Sequence, residues 1–229
     1  MKKILIIICF VIVSNISLSG QKNELITVKA GTRLMDYFPV SERYLYSEFT
    51  TGRILLNNGN YSDRQLNYNK MAGEIEFIQA RDTLSIANKK DIKLVLIAQD
   101  TFYYDRGYIE QLRGGKIKVG LKQYVELKEE QSKDSYGTSS AGSATTSVGS
   151  LPLDGNFYKF TANKDLIFKR TLQYYIATPE SGFVLCAKNN IMKLFAQEKA
   201  QIKSYLKANK IKFDSREDIL RLADFLSTL

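Results

Sequence analysis

The chain has no histidine, no tryptophan, three prolines and two cysteines in 229 residues. Without histidine there is no Ser-His-Asp or Cys-His relay and no imidazole ligand for zinc or copper, so neither a metal nor a cofactor is expected. Cys9 lies in an apolar run near the start, which leaves Cys186 as the one cysteine beyond it and no intramolecular disulfide. Cys186 sits in FVLCA, where a thiol acts as a small hydrophobe and nothing in the sequence supplies a thiolate-stabilising partner. The lack of tryptophan removes the commonest sugar-stacking platform, although 14 tyrosines can stand in for it.

Long apolar runs are also missing. The longest, Ile4 to Val13, is about half of the ~20 residues that a helix needs to cross a bilayer. Lys2 and Lys3 precede it, and Ser17 and Ser19 follow at small-x-small spacing, the layout of a secretory signal peptide over 1–20 with cleavage near Gly20. Cys9 stands behind bulky Ile8 inside the run, so it does not mark a lipid anchor. No transmembrane span is expected after cleavage. Removing Lys2 and Lys3 leaves 31 basic against 24 acidic residues, and the excess is concentrated in 166–229, which holds 11 basic and 6 acidic.

What is present is period-two alternation. In GEIEFI, Ile75 and Phe77 alternate with Glu74 and Glu76, as in a strand with one wet face. In KIKVGLKQYVEL, Ile117, Val119, Leu121, Val125 and Leu127 share one face, with Lys116, Lys118 and Lys122 on the other. IKLVLI at 92–97 is apolar on both faces and reads as a central strand. NNGN at 57–60, NKMAG at 69–73 and RGG at 113–115 read as turns, and the whole of 22–130 as a meander. Residues 131–156 are mostly Ser, Gly, Thr and Ala and are expected to form a flexible loop. Alternation returns with Leu166, Phe168, Leu172, Tyr174 and Ile176, too few strands for a core of their own, so they are expected to rejoin the first sheet.

From residue 188 the spacing becomes helical. Ile191, Phe195, Ile202 and Leu206 mark one helix; Ile219, Leu222, Ala223 and Leu226 mark a second, opened by Ser215 with Asp218 three residues later as in a capping box. The expected fold is therefore mainly β, an antiparallel meander forming a roll, sandwich or incomplete barrel with a two-helix C-terminal tail, α+β overall. Its domains would be a single β-rich unit over 21–187 and a helical subdomain over 188–229.

Motifs for catalysis are weak. GGKIKVG at 114–120 lacks the order of a phosphate loop and precedes a strand. Ser204 and Lys207 match S-x-x-K, but its partner motifs SDN and KTG are absent, and a solvated helix face accounts for both. Asp100 and Asp105 flank the four-residue strand TFYY, which would hold them ~13 Å apart in its two turns. Alternation would divide its tyrosines, Tyr104 with Phe102 and Tyr103 opposite. Glu74 and Glu76, on one face of a strand and ~7 Å apart, are the better candidate pair for hydrolysis of a glycosidic bond. Lys199, Lys203, Lys207 and Lys210 form a ridge that reads as a solvated helix face or as a contact for an anionic lipid surface or an acidic partner.

LNYNKMAGEIEFI (66–78), DTFYYDRGY (100–108) and IKFDSREDILRLADFL (211–226) resemble a family of uncharacterised secreted proteins from bacteria of the Bacteroidetes type. The resemblance covers most of the chain outside the Ser/Gly segment and implies an envelope location without any activity. It also implies O-glycosylation at Asp82-Thr83-Leu84, with Thr83 the acceptor. Members of that group released through the outer membrane end in a β-type sorting domain. The helical ending here points instead to the periplasm or the inner side of the outer membrane.

These readings converge on a non-catalytic exported envelope protein, a binding module or accessory subunit of an envelope assembly, with a carboxylate-dependent hydrolase of polysaccharide as the alternative. Candidate binding residues are Tyr103, Tyr104, Lys199, Lys203, Lys207 and Lys210. The expected partner is an envelope protein, a glycan or an anionic lipid surface, and export argues against nucleic acid.

Overall fold

The computed structural model describes residues 25–131 and 161–229. The signal peptide expected at 1–20 and all but the first residue of the loop expected at 131–156 lie outside the described residues; Gln131 itself ends a strand.

Eleven strands form one antiparallel sheet among the described residues: β1 (Leu25–Val28), β2 (Thr50–Leu56), β3 (Tyr61–Asn69), β4 (Glu74–Gln79), β5 (Asp82–Ser85), β6 (Ile92–Ile97), β7 (Asp100–Tyr104), β8 (Tyr108–Arg113), β9 (Lys118–Gln131), β10 (Asp165–Ala177) and β11 (Val184–Leu185). Two one-turn helices, α1 (Leu34–Tyr37) and α2 (Val40–Arg43), precede β2, and α3 (Lys188–Leu194), α4 (Lys199–Ala208) and α5 (Arg216–Ser227) follow β11. The strand order is β1-β10-β9-β8-β7-β6-β2-β3-β4-β5, with β11 added to β10. There are thus two meanders, β2 to β5 and β6 to β10, where the sequence suggested one. They join because the chain leaves β5 at one edge and returns through β6 on the far side of β2.

The sheet is mainly antiparallel and not closed, yet it curls on itself. The β3–β4 turn reaches the half of β9 that β8 leaves uncovered: Val125 N donates to Met71 O at 2.9 Å, and the Tyr68 hydroxyl donates to Gln123 O at 2.9 Å. Gly73 makes this approach feasible, since its φ is +69° and a Cβ there would lie 3.2 Å from Gln123 O.

Alternation on β9 and β10 holds as read, with Val119, Leu121, Val125, Phe168, Tyr174 and Ile176 all buried on the core face. Val119, Leu121, Tyr174 and Ile176 form one cluster with Ile219, Leu222, Ala223 and Leu226 of α5 and Ile202 of α4, so the C-terminal helices share a core with these strands, while Val125 and Phe168 belong to a second cluster with Val28, Leu34 and Phe38. Arg113 of β8 pairs with Asp224 and ties α5 to the sheet. Tyr205 of α4 stacks on Phe225 of α5 with ring centroids 4.0 Å apart. The helix expected to run through 191–206 is instead two, α3 and α4, broken between Phe195 and Glu198.

β6 is central in strand order, but only one of its faces is covered, since Leu96 is 40% exposed. The wet face expected for β4 is a second correction. Glu76 is fully buried, closed over by the segment between α2 and β2, where Tyr44 bridges to Asn69.

Candidate functional site

Two hairpin tips and the outer faces of the two longest strands enclose a cleft of about 1050 Å³. Its floor is Lys122 and Tyr124 of β9 with Gln173 and Tyr175 of β10. One wall is the β3–β4 tip through Glu74, another is Tyr104 to Gly107, and the third is Phe183 to Leu185 with Asn190 of α3.

Local sequence explains why these groups meet. The three-residue loop Asp105-Arg106-Gly107 turns through two positive φ values, +50° at Arg106 and +123° at Gly107. Lys122 passes beneath it, with Cε 3.3 Å from where a Cβ on Gly107 would be. Lys122 Nζ donates to Asp105 O at 2.8 Å and to Arg106 O at 3.2 Å, and lies 5.2 Å from the centre of the Tyr175 ring. Two of the three ammonium donors thus hold the loop, and burial draws the Lys122 pKa down. Gly120, next to Tyr175 in register, gives Phe183 its place: a Cβ there would sit 2.9 Å from the ring.

The carboxylates divide differently from the sequence pairs. Glu74 and Asp105 both line the cleft, whereas their supposed partners do not. Glu76 is committed to structure, accepting from the Tyr44 hydroxyl at 2.7 Å and from Asn69 Nδ2 at 2.9 Å. Asp100 accepts from the Tyr46 hydroxyl at 2.6 Å. Glu74 Oε1 is 2.6 Å from Lys89 Nζ, while Oε2 is buried with no hydrogen-bond partner among the described residues. Burial raises the Glu74 pKa against the opposing pull of Lys89. Burial, and after it the hydrogen bond that the hydroxyl donates to Glu126, push Tyr124 up to about 12.

Tyr104 lines the cleft and packs edge-on against Tyr108 at 5.2 Å. Tyr103 is half-buried on the opposite side of β7, against Phe183 at 5.3 Å and beneath Lys118 Nζ at 5.2 Å, and supports the wall from behind. Thr83 is exposed on the edge strand β5. Lys199, Lys203 and Lys207 are exposed along α4; Lys210, also exposed, lies beyond the end of α4 at φ +48° instead of on the ridge. Cys186 is buried, and burial pushes its thiol up to about 12, which suits packing and not nucleophilic attack.

Sequence reasoning did not single out Tyr124, Gln173, Tyr175, Phe183 or Asn190. The available signal was aromatic residues at the non-core parity of the two longest strands, Tyr124 and Tyr175, where alternation alone predicts a solvated face. Among the described residues no group of three or more Cys, Asp or Glu side chains could hold a metal ion, and no helix is long and apolar enough to cross a membrane. No family model, curated protein or solved structure matches the chain.

Proposed function

We propose that the protein is a non-catalytic, exported envelope protein that binds a polyhydroxylated ligand, a glycan, in the β9–β10 cleft. The observation that carries this reading is the lining itself: rings of Tyr124 and Tyr175 in the floor and of Tyr104 and Phe183 in the walls, with Glu74 and Asp105 at the walls. Sugar rings offer apolar C–H faces to aromatic rings and a ring of hydroxyl donors to carboxylates and amides. A cleft with an orphan acceptor at Glu74 Oε2 and a lysine that gives two of its three N–H donors to backbone carbonyls favours a ligand that brings donors. Export rests on the charged and apolar start of the chain, and the envelope location also on the resemblance of 66–78, 100–108 and 211–226.

Calorimetric titration with chitin, xylan and peptidoglycan fragments tests the reading. At least one should bind, and Tyr175→Ala should weaken it about tenfold, a loss of ~1.4 kcal/mol. Absence of binding across the panel, or an unchanged Tyr175→Ala, overturns it.

A hydrolase is the second reading, favoured by one observation: Glu74, with its raised pKa, shares the cleft with Asp105. Glu74 would protonate the leaving oxygen and Asp105 take a proton from the attacking water. Release of reducing ends from the same oligosaccharides, abolished by Glu74→Gln and by Asp105→Asn, would establish it. The ion pair between Glu74 and Lys89 works against that role by holding Glu74 ionised, which is why binding without turnover is preferred.

A further inference from the structure

Residues 188–212 carry seven lysines, one acid, Glu198, and no arginine. All seven lysines are exposed. Lys199, Lys203 and Lys207 stand one turn apart on α4, on a face about 100° round the helix from buried Ile202, and none is in an ion pair among the described residues. Lys188 and Lys193 on α3 and Lys210 and Lys212 beyond α4 extend the same sign of charge on either side.

We propose that this lysine stripe is a docking surface for the anionic headgroups of a phospholipid membrane. Three features select that occupant. The stripe runs along a surface helix, and none of its lysines lines the cleft. It contains lysine alone, a point charge suited to a diffuse field of phosphates, where recognition of one defined phosphate or carboxylate favours the arginine fork. It has no exposed large hydrophobic side chain, so the contact stays at headgroup level without insertion into the acyl layer. Such contact is electrostatic, additive over the lysines and screened by salt. It is separate from the cleft and does not depend on what the cleft holds.

Sedimentation of the protein with phosphatidylglycerol vesicles, with phosphatidylcholine vesicles as the neutral reference, tests this directly. The protein is expected to sediment with the first and not the second, and to be released by ~1 M salt, where the screening length falls to ~3 Å. Lys199→Glu, Lys203→Glu and Lys207→Glu together should weaken phosphatidylglycerol binding by at least about tenfold. All three side chains are exposed, and circular dichroism is the check that the variant keeps the parent's fold. The paired control Lys93→Glu, Lys116→Glu changes exposed lysines on strands and turns outside the stripe and should bind as the parent does. No binding to phosphatidylglycerol at low salt, equal loss in the control, or retention on immobilised polyglutamate without vesicle binding would overturn the proposal, the last by pointing to an acidic protein partner.

Discussion

Glu110 shows how a single half-buried carboxylate can set the pH response of this fold. It sits on β8 with the Asp100 carboxylate in reach; burial first and Asp100 second lift its pKa from 4.5 to about 7, and Arg216 of α5 opposes them. Tyr46, Tyr68 and Tyr174 are the other titratable groups that feel its charge. A carboxyl whose folded pKa is raised holds a proton that the unfolded chain has already released. Its contribution therefore weakens as pH rises from about 4.5 to about 7, and its full cost falls above that window. Glu110→Gln should be indistinguishable from the parent near pH ~4 and more stable near pH ~8, by on the order of 2 kcal/mol in urea unfolding. A variant less stable at the higher pH would mean that ionised Glu110 is a favourable partner and not a burden. None of this was legible in the sequence, where Glu110 is one more polar residue in a strand. Glu76 was misread for the same reason: alternation identifies which positions share a face but not what lies over it. The cover here, Tyr44, comes from 32 residues upstream.

At the scale of elements, local rules were legible wherever the signal is local. Ser215 caps α5 as its sequence indicates: its Oγ accepts from Asp218 N at 3.3 Å. The reciprocal half of a capping box is absent, since the Asp218 carboxylate accepts from Lys212 N at 2.9 Å and so closes the loop between α4 and α5. Ser215→Ala should cost about 1 kcal/mol in thermal unfolding, while Ser215→Asp keeps the cap and should cost less than half of that. Equal losses would place the effect in the loop and not at the helix terminus. The β4–β5 hairpin escaped notice because its turn carries no turn signal. Ala80 opens the β4–β5 loop at φ +57° and Ala98 the β6–β7 loop at +53°, conformations ordinarily left to Gly or Asn, imposed here by the pairing of the strands on either side. The crossing from β5 to β6 was equally hidden, because strand order depends on long-range pairing and adjacent strands in sequence are only the default.

For the whole molecule, the decisive feature is that α3 to α5 share a core with the sheet. Ile191, Ile202, Ile219, Leu222 and Leu226 are fully buried in one cluster with Ile117, Val119, Tyr174 and Ile176. Each such side chain contributes ~1.5–3 kcal/mol by leaving water, so the helical layer as a whole is worth as much as the ~5–15 kcal/mol that separates a native domain from its unfolded chain. Strands and helices that folded independently would give two transitions on heating, with the β unit surviving removal of the helices. A shared core requires the reverse. Calorimetry of the intact chain should give one transition whose calorimetric and van't Hoff enthalpies agree. Leu222→Ala, on the helical side of the core, should lower that single transition by the equivalent of ~2–5 kcal/mol, and tyrosine fluorescence dominated by the sheet should shift with helical ellipticity to the same midpoint. A chain ending at Ala187 would uncover the β9–β10 face and should fail to fold. Recovery of a soluble, cooperatively melting β unit from it would show that the cleft can be held by the sheet alone, and that the lysine-bearing helices are a detachable surface instead of half of the core.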